Sequence, residues 1–108
     1  MSRDNAISYT HIVHDFQVKF GQGYSGPVRE MPASVASLRK KLLLEELTEL
    51  VTAIDAGDQE EILDALVDAQ YVLAGTVNAC GMRDVFDEAF MRVHRANMMK
   101  TPAGSRYD

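Results

Sequence analysis

The sequence predicts an all-α fold, a four-helix bundle that assembles as a homo-oligomer. Apolar residues recur at intervals of three and four in four separate segments, which is the spacing of one helix face. No segment shows the alternation of apolar and polar residues that is typical of a half-buried strand. A chain of 108 residues suffices for one domain but not for two. We therefore expect residues 1–108 to form a single helical domain.

The first predicted helix covers residues 5–20, with Asp4 as its N-cap and Gly21 at its end. Its apolar side chains follow helical spacing: Tyr9, Ile12, Val13, Phe16 and Phe20. Residues 21–32 hold three of the seven glycines and two of the three prolines. This composition predicts a loop.

Two long helices are predicted next, joined by a tight turn that makes them antiparallel neighbours. The second helix begins after Ser34 as N-cap and ends at Gly57, and its apolar stripe consists of Leu43, Leu47, Leu50, Val51 and Ile54. The third begins after Asp58 as N-cap and ends at Gly81, and its core stripe consists of Ile62, Leu63, Leu66, Leu73 and Val77. These caps and stops are the residue types that helix termini favour.

The last predicted helix runs from Asp84 to Met98, with Phe86, Phe90 and Val93 facing inward. Pro102 closes it, and the tail 103–108 is expected to be loose. One short first helix and one short last helix cannot cover both sides of two long ones. Leu38 and Leu42, for example, lie away from the apolar stripe of the second helix. Uncovered apolar surface predicts a homodimer or a homotetramer built as a dimer of dimers.

Composition excludes several classes of protein. A net charge of −5 argues against a nucleic-acid binder, which normally carries a basic surface. The polar start of the chain and the absence of an apolar run of membrane-spanning length indicate neither export nor a membrane partner. The single Cys80 cannot form an intrachain disulfide, which fits a reducing, cytoplasmic compartment.

Carboxylates cluster on the two long helices. Glu45, Glu46 and Glu49 share one face of the second helix, and the third helix carries Glu61, Asp64 and Asp68. Like charges at this spacing repel by about 0.2–0.5 kcal/mol per pair in isolated helices. Hard divalent cations relieve such repulsion, because Mg²⁺ prefers oxygen ligands. The alternative is a solvated acidic surface, with Glu61 completing a capping box after Asp58.

The third helix also carries a stripe that changes from acids to other side chains: Asp64, Asp68, Tyr71, Gly75 and Asn78. A merely solvated face more often carries Lys, Glu and Gln. The stripe is therefore interpreted as a groove that leads from the charged cluster toward a planar group.

At these residues the sequence resembles the all-α nucleoside triphosphate pyrophosphohydrolase superfamily, which includes MazG-like proteins and phosphoribosyl-ATP pyrophosphohydrolase. The string EELTE, residues 45–49, fits the EExxE motif of that superfamily. The second motif fits Glu61-x-x-Asp64 or Asp64-x-x-x-Asp68, and we prefer the latter because Tyr71 follows it. Gln70 departs from the usual apolar pair. Similarity extends over residues 12–100, through HDFQVKFG and FDEAFMRVHRANMMK.

The resemblance implies a four-helix bundle of the MazG-like type and Mg²⁺-dependent hydrolysis of a nucleoside triphosphate to a monophosphate and pyrophosphate. Mn²⁺ is the expected substitute. Carried over by position, the metal ligands are Glu46, Glu49 and Asp68, followed by Asp64. Glu45 is the candidate that orients or deprotonates the attacking water.

The basic and amide side chains near the end of the last helix can be interpreted in two ways. Cations there complement the helix dipole. The resemblance instead favours phosphate contacts by Arg95, Asn97 and Lys100, and the acid-to-amide stripe adds Tyr71 and Asn78 as substrate-binding candidates. The three histidines and one cysteine lack the spacing of a zinc site.

Three functions remain open from the sequence. The first is an enzyme that removes unwanted (d)NTPs from the nucleotide pool. The second is phosphoribosyl-ATP hydrolysis, although enzymes of that type usually present a more basic surface. The third is a non-catalytic helical adaptor whose acidic faces bind a basic partner, which would be indifferent to Mg²⁺.

Overall fold

A computed structural model describes residues 7–102 of the chain. Within this range it contains four helices and no strand: α1 (Tyr9–Lys19), α2 (Ala33–Ala56), α3 (Gln59–Ala79) and α4 (Arg83–Met98). The predicted all-α class, the order of the helices and the loop over residues 21–32 are confirmed. The proposed Asp4 cap and the tail 103–108 lie outside the described residues. None of the described helices is long and apolar enough to cross a membrane.

The turn between α2 and α3 forms as predicted. Gly57 adopts the left-handed conformation with φ of 67°, which costs glycine little. The Asp58 carboxylate then accepts hydrogen bonds from the backbone N–H groups of Glu60 and Glu61 and caps α3. Gly81, with φ of 71°, follows the end of α3.

The predicted start of α2 is wrong. Ser34 is already inside the helix, which begins at Ala33 after Pro32, and no side chain caps it. Proline fixes its own φ and disfavours the helical conformation in the residue before it, so Pro32 sets the helix boundary although no side chain caps the helix. The predicted starts of α1 and α4 also differ from the structure, by four residues and one residue respectively.

The antiparallel seam between α2 and α3 is the largest contact of the fold. At the end nearest the turn the buried side chains are small, with Ala53 only 7% and Ala65 6% exposed. At the far end the Arg39 guanidinium donates from Nη2 to the Val72 carbonyl, over 2.7 Å, and from Nε to Thr76 Oγ1, over 3.1 Å. The end of the seam near the turn is thus stabilised by contact between alanines, and the far end is stabilised by hydrogen bonds of Arg39.

Helix α1 packs across the C-terminal half of α3 through buried polar groups. Asn78 is 1% exposed, and its Nδ2 donates to the Thr10 carbonyl and to Gln17 Oε1. Gln17 Nε2 in turn donates to the Gly75 carbonyl over 3.2 Å. These hydrogen bonds fix α1 on α3, while Asn78 Oδ1 and Thr10 Oγ1 are buried without a hydrogen-bond partner among residues 7–102.

Much of the predicted apolar core is exposed in the single chain. Leu63 is 62%, Leu66 49% and Leu73 45% exposed, and Phe90 and Val93 of α4 do not face inward. Of the predicted α3 stripe only Val77 is buried, while Ile62 is half-buried. The buried apolar residues are instead mostly small: Val13, Ala53, Ala65, Ala74, Val77 and Ala79. Helical spacing correctly finds an apolar face but does not reveal whether the same chain covers it.

Candidate metal centre

Glu46 is the least exposed of the clustered acids and lies on the seam between α2 and α3. The residue is half-buried. Its Oε2 atom is shielded from solvent and has no hydrogen-bond partner within the described residues. An unpartnered buried carboxylate oxygen costs free energy, so such an atom calls for a ligand or a proton.

The electrostatics of Glu46 show which groups surround it. Desolvation raises the pKa of its carboxyl group above the usual range, and the negative charges of Glu49, Asp68 and Glu45 raise it further. Asp68 belongs to α3, whereas the other three acids belong to α2. The fold therefore brings the two acidic motifs together across the seam.

A groove of about 490 Å³ opens beside these acids, toward the Gly57 turn. Its carboxylates come from both helices and from the turn: Glu49, Asp58, Glu61, Asp64 and Asp68. The remaining lining residues are threonines and alanines, so no Lys, Arg or His of residues 7–102 lines the groove. Its donor set is thus made of oxygen atoms, as Mg²⁺ prefers.

The acids fit a hard cation in kind and in placement, but their side chains are not closed around one point. Within residues 7–102 no three His, Cys, Asp or Glu side chains converge as a ready set of ligands. Glu49, Asp64 and Asp68 are exposed, so their side chains can change rotamer, whereas Glu46 is half-buried. Ion binding would therefore require at least side-chain rotation.

Comparison with known proteins identifies the family. A sequence model described as phosphoribosyl-ATP pyrophosphohydrolase matches residues 13–97, which is most of the chain. The chain belongs to the phosphoribosyl-ATP pyrophosphohydrolase family. The resemblance to all-α pyrophosphohydrolases is thereby confirmed. Membership implies a pyrophosphohydrolase that acts on the acid anhydride of a nucleotide. A search of curated proteins finds no significant match.

In this family member, the stripe that continues from the acids is not an open groove over its whole length. Tyr71 is 39% exposed, and its ring meets Phe16 of α1 edge-on, with centroids 5.6 Å apart. Gly75 and Asn78 lie beneath α1, where they bond to Gln17 and Thr10. The groove interpretation is therefore wrong for these two residues, because α1 covers them.

The basic end of α4 does not join the acidic groove within one chain of this pyrophosphohydrolase. Arg95, Asn97 and Lys100 are exposed, and none of them lines the groove. Lys100 Nζ donates to Asn97 Oδ1 over 3.0 Å. Helix α4 meets α3 near the start of α4, where the half-buried Phe86 lies beside Leu73 and Val77.

Sequence reasoning missed two side chains of the groove. Thr48 and Thr52 line it together with Glu49, and Thr52 Oγ1 donates to the Thr48 carbonyl over 2.9 Å. The only signal that could have found them is their spacing of four residues, with Thr48 inside EELTE and Thr52 one turn beyond it. Glu61 lines the groove together with the proposed ligands Asp64 and Asp68. Asp58, in contrast, caps α3.

The raised pKa of Glu46 gives a testable pH dependence for the metal-free family member. An acid whose pKa is higher in the folded than in the unfolded state stabilises the fold at low pH, and this contribution disappears as pH rises through the folded pKa. We expect this contribution to lower the melting temperature in EDTA as the pH rises above the ordinary range of a glutamate carboxyl, about pH 4. Glu46→Gln should remove part of that fall and raise the melting temperature at neutral pH. Thermal melts of Glu88→Gln, an exposed acid on α4, provide the control, and equal pH slopes in all three proteins would refute the assignment.

Proposed function

We propose that the chain is a Mg²⁺-dependent nucleoside triphosphate pyrophosphohydrolase whose metal centre is the acidic groove between α2 and α3. The buried, unpartnered Oε2 of Glu46, a carboxyl group whose pKa is raised by desolvation and by the charges of Glu49 and Asp68, is the observation that supports this most directly. Burying a carboxylate among other carboxylates is unfavourable unless a cation offsets the charge. A purely solvated acidic face does not need such an atom.

Each carboxylate has a proposed role in the chemistry. Glu46, Glu49, Asp64 and Asp68 would hold the metal, and Mg²⁺ or Mn²⁺ bound there would supply charge neutralisation of the phosphate oxygens and activation of a water molecule. Glu45, exposed and next to Glu46, is the proposed base that accepts the proton of that water. Attack at the α-phosphorus breaks the α–β anhydride bond and yields the monophosphate and pyrophosphate.

A (d)NTP is the proposed substrate, and nucleotide-pool cleaning the proposed role. Among the described residues the groove is lined by carboxylates but by no cationic side chain, so the triphosphate would be held through a metal bound to these acids. Phosphoribosyl-ATP is the second candidate, because the matching family is described by that substrate. Both molecules carry the same phosphoanhydride, so the choice depends on groups remote from the scissile bond.

The enzyme is also proposed to be a homodimer or a homotetramer in which the active site lies near a subunit interface. Arg95, Asn97 and Lys100 do not line the groove of their own chain. Their proposed contact with substrate is therefore made across an interface, where Arg95 and Lys100 can balance phosphate charge. Tyr71, exposed beside the acids, remains the proposed contact to the base.

The proposal is tested by incubating the pure protein with a panel of NTPs, dNTPs and phosphoribosyl-ATP, with and without millimolar Mg²⁺, and measuring pyrophosphate. We expect Mg²⁺-dependent release from at least one (d)NTP, with kcat/KM at least about tenfold higher than for phosphoribosyl-ATP, since one lost specific contact is worth about that factor. The reverse order of kcat/KM would establish the second candidate. Absence of release from every nucleotide would favour the non-catalytic adaptor.

A further inference from the structure

A second cavity, with two arginines in its wall, lies at the opposite end of the α2–α3 seam. Its volume is about 360 Å³, within the range of about 300–1,000 Å³ that is common for small-ligand sites. It is lined by Arg29 of the loop, Arg39 of α2 and Gln17 of α1, among others. It shares no lining residue with the acidic groove. Arg39 precedes Glu46 by seven residues, or about 10 Å along the helix axis.

Both guanidinium groups are held rigidly in the cavity wall. Arg29 Nε donates to the Ala79 carbonyl over 2.9 Å, and its guanidinium carbon lies 3.6 Å from the centre of the Tyr24 ring. Arg39 is fixed by its bonds to Val72 and Thr76. Gly75 leaves the space that Arg39 occupies, because a Cβ there would lie 2.6 Å from Arg39 Nη2.

These contacts position the two cations but do not neutralise them. Each guanidinium has five N–H donors. The bonds to protein acceptors use one donor of Arg29 and two of Arg39. Among residues 7–102 the ion pair formed is Arg92 with Glu88, and neither cavity arginine takes part in one. Burial lowers the pKa of Arg39, opposed by the nearby Cys80 thiol, yet arginine stays protonated in proteins.

Two half-buried positive charges without a counter-ion in an acidic chain favour an anion, and the cavity supplies further donors. Ser34 and Val35, in the first turn of α2, also line it, and that turn contains no acid and no side-chain cap. The positive end of the helix dipole therefore adds to the potential that the arginines create. Planar guanidinium groups match the oxygen spacing of phosphate and bind it through two parallel hydrogen bonds.

We propose that this cavity is a second anion site, independent of metal, that binds a phosphate group through Arg29 and Arg39. The bound phosphate is either a second phosphate group of the substrate, attached at a position other than the triphosphate, or free inorganic phosphate. Binding does not rest on the proposed function, since the two sites use different residues.

Calorimetric titration of the EDTA-treated full chain with inorganic phosphate tests the site, because without a metal ion the acidic groove should not bind phosphate. We expect saturable binding of one phosphate per chain. Arg29→Gln should weaken it at least about tenfold, as expected for loss of charged hydrogen bonds. Lys41→Gln is the control, because it also removes one positive charge. Lys41 lies on α2 two residues after Arg39, which places it about 200° around the helix from Arg39. Absence of saturable binding to the wild-type chain, or equal affinity in both variants, would overturn the proposal.

A second variant keeps the test valid if Arg29→Gln does not fold. Ser34→Glu places a carboxylate in the cavity at a helix position that favours acids. The folded variant should lose phosphate binding, because its own carboxylate occupies the arginines. Ser37→Glu, at an exposed position of α2 that does not line the cavity, should retain it. Unchanged phosphate affinity in Ser34→Glu would contradict the site.

Kinetics then distinguish the source of the phosphate. If the substrate supplies it, Arg29→Gln raises KM for phosphoribosyl-ATP and leaves KM for (d)NTPs unchanged. If free phosphate occupies the site, both KM values stay unchanged. Lack of any turnover would count against the proposed function alone, because the titration needs no catalysis.

Discussion

Glu49→Gln is expected to lower turnover at least about 100-fold while the helical fold remains intact. Loss of groups that merely support a metal ligand typically costs about 10–100-fold in affinity or activity, and loss of a ligand should exceed that. Glu49 lines the acidic groove and contributes to the raised pKa of Glu46, but it is exposed and carries no core contact. We therefore expect its carboxylate to be dispensable for folding, and we propose that it binds the metal.

Two measurements separate metal loss from misfolding in Glu49→Gln. Circular dichroism should match the wild type, and pyrophosphate release should not. In the wild-type chain, Mg²⁺ at a hundredfold excess over its dissociation constant should add about 2.7 kcal/mol of stability, seen as a higher melting temperature. The variant should show a smaller shift. Glu88→Gln, which removes an exposed ion pair with Arg92, is the matched control. Full activity in Glu49→Gln, or identical wild-type melts with and without Mg²⁺, would end the metal-site proposal.

Sedimentation at micromolar concentration is expected to show a species at least twice the chain mass of 12.0 kDa. The outer face of α2 exposes Leu44 by 69%, Leu47 by 51% and Val51 by 57%. These residues recur at intervals of three and four and so form one continuous apolar face. An exposed apolar surface of this kind marks an interface, and two-fold pairing is the commonest arrangement.

Val51→Lys should weaken the assembly at least about 100-fold, because pairing would bury an uncompensated charge. Ser37→Lys introduces the same charge at an exposed polar position of the same helix and should leave the sedimentation pattern unchanged. If the active site spans an interface, Val51→Lys also loses nucleotide hydrolysis at dilute concentration. A wild-type species of 12.0 kDa that still hydrolyses nucleotides would show that one chain suffices.

The sequence predicts the helices well because their signals are local. Spacing of apolar residues locates each helix, and the pair Gly57–Asp58 defines the turn through its own backbone conformation and capping bonds. The predicted start of α2 is wrong for an equally local reason. Ser34 is a good capping residue by type, but Pro32 had already set the boundary.

The sequence does not reveal which faces are buried within one chain. Leucines on α2 and α3 have the spacing of a core, yet the close approach of the two helices is made by Ala53 and Ala65. Small residues permit close contact between helices, whereas larger side chains are left for another surface. A repeat of 3.6 residues records that a face is apolar and says nothing about what covers it.

The acidic centre can be predicted in part, because its signals, like those of the helices, are local in the sequence. Its motifs are local, and the tight turn makes their helices neighbours. The isolation of one oxygen atom on Glu46 is not predictable, since it depends on packing against α3. The arginine cavity and the burial of Asn78 are likewise tertiary: Arg29 bonds to Ala79, fifty residues away, and Asn78 to Thr10, sixty-eight residues away. No spacing rule links residues that far apart.

The two-residue connection formed by Gly57 and Asp58 has a consequence for how this protein can change over time. Because α2 and α3 are joined so tightly, the length of the chain between Glu49 and Asp68 determines which side chains face each other. One inserted residue would rotate everything beyond it by about 100° and advance it by about 1.5 Å. An insertion or deletion in this hairpin would therefore separate acids that now lie on facing helices, whereas an exchange of one apolar residue for another on the outer face of α2 would not. Residues 45–68 thus form a segment whose length matters more than the identity of its outer apolar residues.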